Sequence, residues 1–218
     1  MKKLGITLAL FLTLVGCSHK NNEEVKKYLP DEIKNVSIHS KGDNILIKET
    51  TTSEIKAKIN KENVLKMKKN GNTLNISIKE DSFINLKTAT LTLYIPRKTL
   101  DHISINSEAG KITGNISNAE NVTINSGSSD ISLNSFGGKS LRKSTIKTMS
   151  GSINIQLAES PNGYDIDANT ASGKITKSLN MHETENSSKT LRGYTGTDSG
   201  NKSSIKVQSG SGKIKLTE

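Results

Sequence analysis

The stretch SGSINI, residues 150–155, decides the fold because the chain rewrites it: EAGKITG at 108–114, SSDISLN at 128–134, ASGKITK at 171–177 and GSGKIKL at 210–216. Superposing the copies fixes a register. With Ile105, Ile124, Ile146, Ala168 and Val207 as anchors, an isoleucine follows seven residues later each time: Ile112, Ile131, Ile153, Ile175 and Ile214. Two residues past each anchor stands a hydroxyl (Ser107, Ser126, Thr148, Thr170, Ser209), and five past it comes Gly110, Ser129, Gly151, Gly173 or Gly212. A fainter copy, Ile38, Ser40 and Ile45, opens the series. The anchors lie 19, 22, 22 and 39 residues apart, and the last interval, about two repeats, predicts a degenerate copy between Lys177 and Ser204.

A period near 20 residues that holds a strand, a tight corner and a second strand is what stacked β-coils require. One unit alone leaves its aliphatic row in water. Stacking units at ~4.8 Å sets isoleucine over isoleucine and lets each strand pair with the coils on either side. Glycine or serine is expected at the corner because a sharp turn enters backbone regions that branched residues resist. The fold class expected is all-β, a β-solenoid or parallel β-helix-like stack, with an antiparallel β-sandwich of the same short strands as the alternative. Composition agrees: aromatics are 3% and Trp is absent, while Ile, Thr, Ser, Asn and Lys favour strands and polar turns over helices.

Ahead of the copies, aliphatic residues recur at spacing two: Val36 and Ile38, Ile45 and Ile47, Ile55 to Ile59, Leu65 and Met67, Leu74 to Ile78, and Leu91 to Ile95. Each run reads as a half-buried strand. Asn70-Gly71 predicts a hairpin, and Pro96 ends the Leu91 strand because proline cannot donate to a ladder.

GKITGNI (110–116), SSDISLN, SGSINIQ (150–156), TASGKITKSL (170–179) and the closing RGYTGTDSGNKSSIKVQSGSGKIKL (192–216) resemble the bacterial "putative-adhesin" family, β-strand-repeat domains of unknown function. The likeness spans residues 35–218 and is strongest from Ile103 onward. It implies a β-helix-like fold, an envelope location and no known catalytic residues. Two departures, Ser128-Ser129-Asp130 without glycine and Ala168 in place of a larger aliphatic, predict irregular coils at those points.

The amino terminus carries a separate signal. MKK is a positive n-region, LGITLALFLTLV a short apolar h-region, and Leu14-Val15-Gly16-Cys17 closes it. Leu4 to Gly16 is 13 residues, short of the ~20 a membrane-spanning helix needs. LVGC resembles the bacterial lipobox, which implies diacylglyceryl transfer to the Cys17 thiol and cleavage between Gly16 and Cys17. Two acyl chains anchor stably where one would not. The organisation expected is a lipoprotein signal peptide at 1–16, lipidated Cys17 with a polar tether to residue 35 (including a short helix around Glu23 to Leu29), and the repeat domain at 36–218. The location that follows is the extracytoplasmic face of the cell membrane. Cys17 is the only cysteine, so an intrachain disulfide and a cysteine-rich zinc site are excluded.

Formal charge is +10, and removal of Lys2 and Lys3 with the signal leaves 29 basic groups against 21 acidic ones. That suits anionic surfaces. Nucleic acid is not the expected partner, because the lysines are dispersed and few rings stand among them for stacking. SGSGKI and TASGKI lack the earlier glycine and the following Ser or Thr of a phosphate loop, so no nucleotide cofactor is expected. The histidines His19, His39, His102 and His182 lack ligand spacing, and no metal site is expected. Asp165 and Asp167 share one face of a strand, as the acid pair of a polysaccharide-cleaving solenoid does, with Tyr164 and Tyr194 as the nearby sugar-stacking rings. They lack a repeated third partner and read as solvated carboxylates.

The residue before each second isoleucine is Lys111, Asp130, Ser152, Lys174 or Lys213. Stacking predicts an outward ladder there, with Lys111, Lys174 and Lys213 as the anion-contact candidates. The function expected is a membrane-anchored, non-enzymatic binding or scaffold module of the envelope. Its partners are membrane lipid through Cys17 and an anionic envelope polymer or a membrane protein. The alternatives are a polysaccharide-active β-helix enzyme and a sensor lipoprotein reporting to a membrane kinase.

Overall fold

The computed structural model describes residues 24–28, 33–60, 64–78, 88–97, 100–197 and 201–218. The lipobox and the signal segment lie outside them. The described residues form nineteen strands: β1 (Glu24–Tyr28), β2 (Asn35–Ser40), β3 (Asn44–Thr50), β4 (Ile55–Ile59), β5 (Leu65–Asn70), β6 (Thr73–Ile78), β7 (Thr90–Pro96), β8 (Leu100–Ser107), β9 (Lys111–Asn115), β10 (Ala119–Ser126), β11 (Asp130–Gly137), β12 (Lys143–Thr148), β13 (Ile153–Ala158), β14 (Tyr164–Thr170), β15 (Ile175–Ser178), β16 (His182–Asn186), β17 (Thr190–Tyr194), β18 (Ser203–Ser209) and β19 (Ile214–Thr217).

They make two sheets, ordered β1-β4-β7-β3-β9-β11-β13-β19-β15 and β16-β17-β14-β18-β12-β10-β8-β2-β6-β5. Each repeat contributes one strand to each sheet, so the body is a β-solenoid of seven parallel coils. The registers are those the repeat predicts. In the ten-stranded sheet Ala168, Val207, Ile146, Ile124, Ile105, Ile38 and Ile76 stand side by side. In the nine-stranded sheet Ile175, Ile214, Ile153, Ile131, Ile112, Ile45 and Leu91 do the same. All fourteen are buried, each full-sized aliphatic contributing about 1.5–3 kcal/mol over its exposed state.

Stacking does not follow chain order. The second coil, β6–β7, lies outside the first, and the last coil, β18–β19, is inserted between β12–β13 and β14–β15. The 39-residue interval is therefore not a degenerate coil. It holds β16 and β17, which extend the ten-stranded sheet antiparallel from β14. At the opposite end β5 runs antiparallel to β6, while β4 and β1 run antiparallel beyond β7. These additions end the parallel ladders in charged strands: β16 is exposed throughout and β5 carries Lys66, Lys68 and Lys69, both of which discourage edge pairing between molecules. The Asn70-Gly71 hairpin is present, with Gly71 at φ +58°.

Three local expectations are corrected. Glu24–Tyr28 is a strand and not a helix or tether: it pairs with β4, and Glu24 and Lys26 bond the Leu65 N–H and carbonyl at 3.0 and 2.6 Å. The domain thus begins ahead of residue 36. The corner at Ser129 and the strand at Ala168 keep an unbroken register, since a buried serine or alanine still leaves the backbone ladder intact. The irregularity falls instead in β11. One extra residue between Leu133 and Phe136, with Ser135 at φ +50°, forms a bulge and drops Phe136 into the core.

Candidate binding surface

The phrase repeated along the chain builds the corners. Hydroxyls two residues past the anchor are buried at Ser40, Ser107, Thr148, Thr170 and Ser209. At four corners the oxygen accepts the N–H three residues on: Ser40 from Asp43 (3.2 Å), Ser126 from Ser129 (3.0 Å), Thr170 from Gly173 (3.0 Å) and Ser209 from Gly212 (2.7 Å). Three hydroxyls at this repeat position donate to the adjacent coil. Thr170 bonds the Gly212 carbonyl at 2.9 Å, Ser209 the Gly151 carbonyl at 2.9 Å and Thr148 the Ser129 carbonyl at 3.3 Å. This coil-to-coil relay explains the glycines. A Cβ on Gly212 would lie 1.7 Å from the Gly151 oxygen, and one on Gly173 would lie 1.9 Å from the Gly212 oxygen. Neither corner has positive φ, so close approach, and not the backbone freedom expected, requires glycine there.

The candidate chemical groups are dispersed or engaged. Asp165 and Asp167 lie on the outer face of β14, where Asp167 accepts from the Arg192 Nε at 3.3 Å and from Asn169 at 2.5 Å. Tyr164 is buried and offers no ring to a sugar: its hydroxyl accepts the Gly138 N–H at 2.8 Å and donates to the Ala158 carbonyl at 2.7 Å. Burial pushes its phenol above the ordinary range, against the Gly138 N–H, which favours the phenolate. Tyr194 stacks on His182 at 4.9 Å with Lys202 over its ring at 4.6 Å. Glu183 is held below its usual range by hydrogen bonds from Lys177 and Asn186. His39, His102 and His182 stand on separate strands, His19 lies outside the described residues, and no group of three metal-ligating side chains occurs among those described.

The lysine ladder is broken. Lys174 and Lys213 precede neighbouring strands β15 and β19, but Ser152 and Asp130 stand between them and Lys111. All three lysines are exposed.

A different column, the residue just after each anchor, lines a recessed surface. Ser77, His39, Asn106 and Asn125 follow one another across β6, β2, β8 and β10. Asn125 donates to the Asn106 oxygen at 3.3 Å and Asn106 to the Ser104 hydroxyl at 3.4 Å. With Ile78 at one side and Met149, 74% exposed, at the other, they line an open groove of about 540 Å³. The groove offers amides, hydroxyls and an imidazole with two apolar flanks, which suits holding an extended polar chain. The repeat register carries this column in the sequence, one position after the anchor.

A profile of the Toastrack DUF4097 family matches residues 33–142 and again 138–217. Among solved structures, a "putative cell adhesion protein" from Clostridium sporogenes is 15% identical with a TM-score of 0.70, over 89% of this chain and 98% of that one. A "putative adhesin" from Bacteroides fragilis is 15% identical over 89% of this chain and 96% of that one, with a TM-score of 0.43. The first likeness establishes the shared fold. No curated protein matches the chain.

Proposed function

This chain belongs to the Toastrack DUF4097 family, and from that premise we propose that it is a non-enzymatic binding or scaffold module, tethered to the extracytoplasmic face of the membrane through acylated Cys17. The observation that carries the binding role is the groove across β6, β2, β8 and β10, an ordered row of hydrogen-bonding side chains facing solvent. The hydroxyls of the repeated phrase are spent inside the stack, and Asp167 is committed to Arg192. The names of the solved neighbours, a cell adhesion protein and an adhesin, agree with a contact role. Lipid anchoring rests on Leu14-Val15-Gly16-Cys17 alone.

The test is photo-crosslinking in intact cells from a probe at Asn125, in the groove, against one at Lys215, outward on the other sheet. Products captured from position 125 and absent from 215 support the reading, and a transmembrane product would identify the sensor variant of it. Identical products from both positions would sink it. Mass spectrometry of the amino-terminal peptide tests the anchor separately: a diacylglyceryl Cys17 is expected, and an intact Met1 terminus refutes it.

A further inference from the structure

The outer face of the nine-stranded sheet at its β1 edge carries a concentration of charge that the repeat does not explain. Across β1, β4, β7 and β3, Lys27 stands opposite Lys56, Lys56 opposite Tyr94, and Tyr94 opposite Lys48. The Lys56 and Lys48 ammonium groups sit 5.6 and 5.9 Å from the centre of the Tyr94 ring. The neighbouring row is Val25, Lys58, Thr92 and Leu46. Val25 is 44% exposed. Among the described residues of this face, Lys27, Lys48 and Lys56 meet one carboxylate, Glu54, which pairs with Lys27 at 3.1 Å.

From this we infer that the face is a membrane-contact surface for anionic lipid headgroups, acting as a second attachment beside the lipid anchor. The inference rests on the Cys17 reading above. Three features distinguish it from a merely solvated basic face. Cationic side chains alternate with a tyrosine and aliphatic residues on flat backbone, the composition that settles at a headgroup boundary, where ammonium groups meet phosphates and ring and methyl groups sit deeper. The patch lies on the strand that follows the anchor: six residues stand between Cys17 and Glu24, and the seven steps reach at most about 25 Å. A tether of that length lets the face approach to within a Debye length of the surface, where its charge acts. A diacyl anchor alone lets the body swivel. This face would fix its orientation and leave the groove on the opposite sheet turned away from the bilayer.

The experiment footprints lysines on the full, processed chain. Protein isolated from cell membranes is reconstituted into vesicles of phosphatidylcholine alone or with about 30% phosphatidylglycerol and labelled with an amine-reactive reagent. Labelling of Lys27, Lys48 and Lys56 should fall about threefold or more on the anionic vesicles and recover in high salt, while Lys174 and Lys213 stay unchanged. The double variant Lys48→Glu/Lys56→Glu should lose the protection at Lys27. Equal labelling on both vesicle types overturns the proposal. So does protection by soluble poly(glycerol phosphate) without protection by vesicles, which would assign the face to a polymer. Co-flotation with the neutral vesicles reports the anchor independently. If it fails, the Cys17 reading falls, and chain added to the anionic vesicles still decides the patch.

Discussion

Replacing Gly212 by alanine is the sharpest perturbation of the stack. The added Cβ would lie 1.7 Å from the Gly151 oxygen, 2.3 Å from its carbonyl carbon and 2.8 Å from the Ser152 nitrogen. All are backbone atoms of the next coil, so no side chain can swing aside. The coils must part by roughly 1.5 Å to restore ordinary contact. Overpacking of this kind costs about 1–3 kcal/mol. Separation also breaks the Ser209 bond to Gly151 and strains the Thr170 bond to Gly212, both 2.9 Å, at about 1 kcal/mol each. The expected loss is about 3–5 kcal/mol, a fall in Tm on the order of 10 °C for a domain of this size. Gly42→Ala is the matched control: it stands in the corner of the first coil with nothing within 4 Å of its Cβ position, and should change stability by less than about 0.5 kcal/mol. Thermal and denaturant unfolding followed by circular dichroism measures both. A Gly212→Ala protein as stable as the Gly42→Ala protein would refute the contact argument.

Two further substitutions test buried polar groups. Ser144 is 1% exposed, between Val122 and Ile205 in register, and its hydroxyl is the buried side-chain polar atom that lacks a partner among the described residues. Ser144→Ala should stabilise by about 1–2 kcal/mol because that desolvation penalty disappears, and a lower Tm would contradict this. Tyr164→Phe should cost about 1–3 kcal/mol by orphaning the Gly138 N–H. Because the folded-state pKa of Tyr164 is raised, its contribution is complete below the ordinary phenol pKa and is lost as pH rises through the folded value. An alkaline stability titration should therefore show a steeper loss for the unmodified protein than for Tyr164→Phe, and parallel curves would count against it.

The side-chain columns were legible because period-two alternation and a fixed seven-residue offset specify which residues meet in the core, and Ile105, Ile112 and their equivalents align as read. The order of the coils was not legible. Every coil presents the same isoleucine, hydroxyl and glycine surfaces, so a coil fits against any other, and the order rests on connections and on the antiparallel end strands. β1 was hidden for another reason: EVKKY lacks the alternating aliphatic residues that mark the other strands and is held by backbone pairing to β4 and by Glu24 and Lys26 reaching Leu65. The lysine ladder is interrupted in either order: inserting β18–β19 only exchanges the places of Lys213 and Lys174, while Asp130 and Ser152 stand between them and Lys111 as the sequence already has it. The groove column was within reach, since His39, Asn106 and Asn125 share one repeat position. The charges stand at another repeat position, before the second isoleucine.

The interleaved stack itself is most directly tested by engineered disulfides in a Cys17→Ser background. Thr145 pairs in register with Lys206, and parallel neighbours place Cα atoms ~4.8 Å apart, inside the range a disulfide spans. Stacking in chain order would instead set Thr145 beside Asp167, a pair that β18 keeps about 10 Å apart here. Mild oxidation should close the bridge in Thr145→Cys/Lys206→Cys and leave Thr145→Cys/Asp167→Cys open, whereas closure of the second pair and not the first would contradict the inserted final coil.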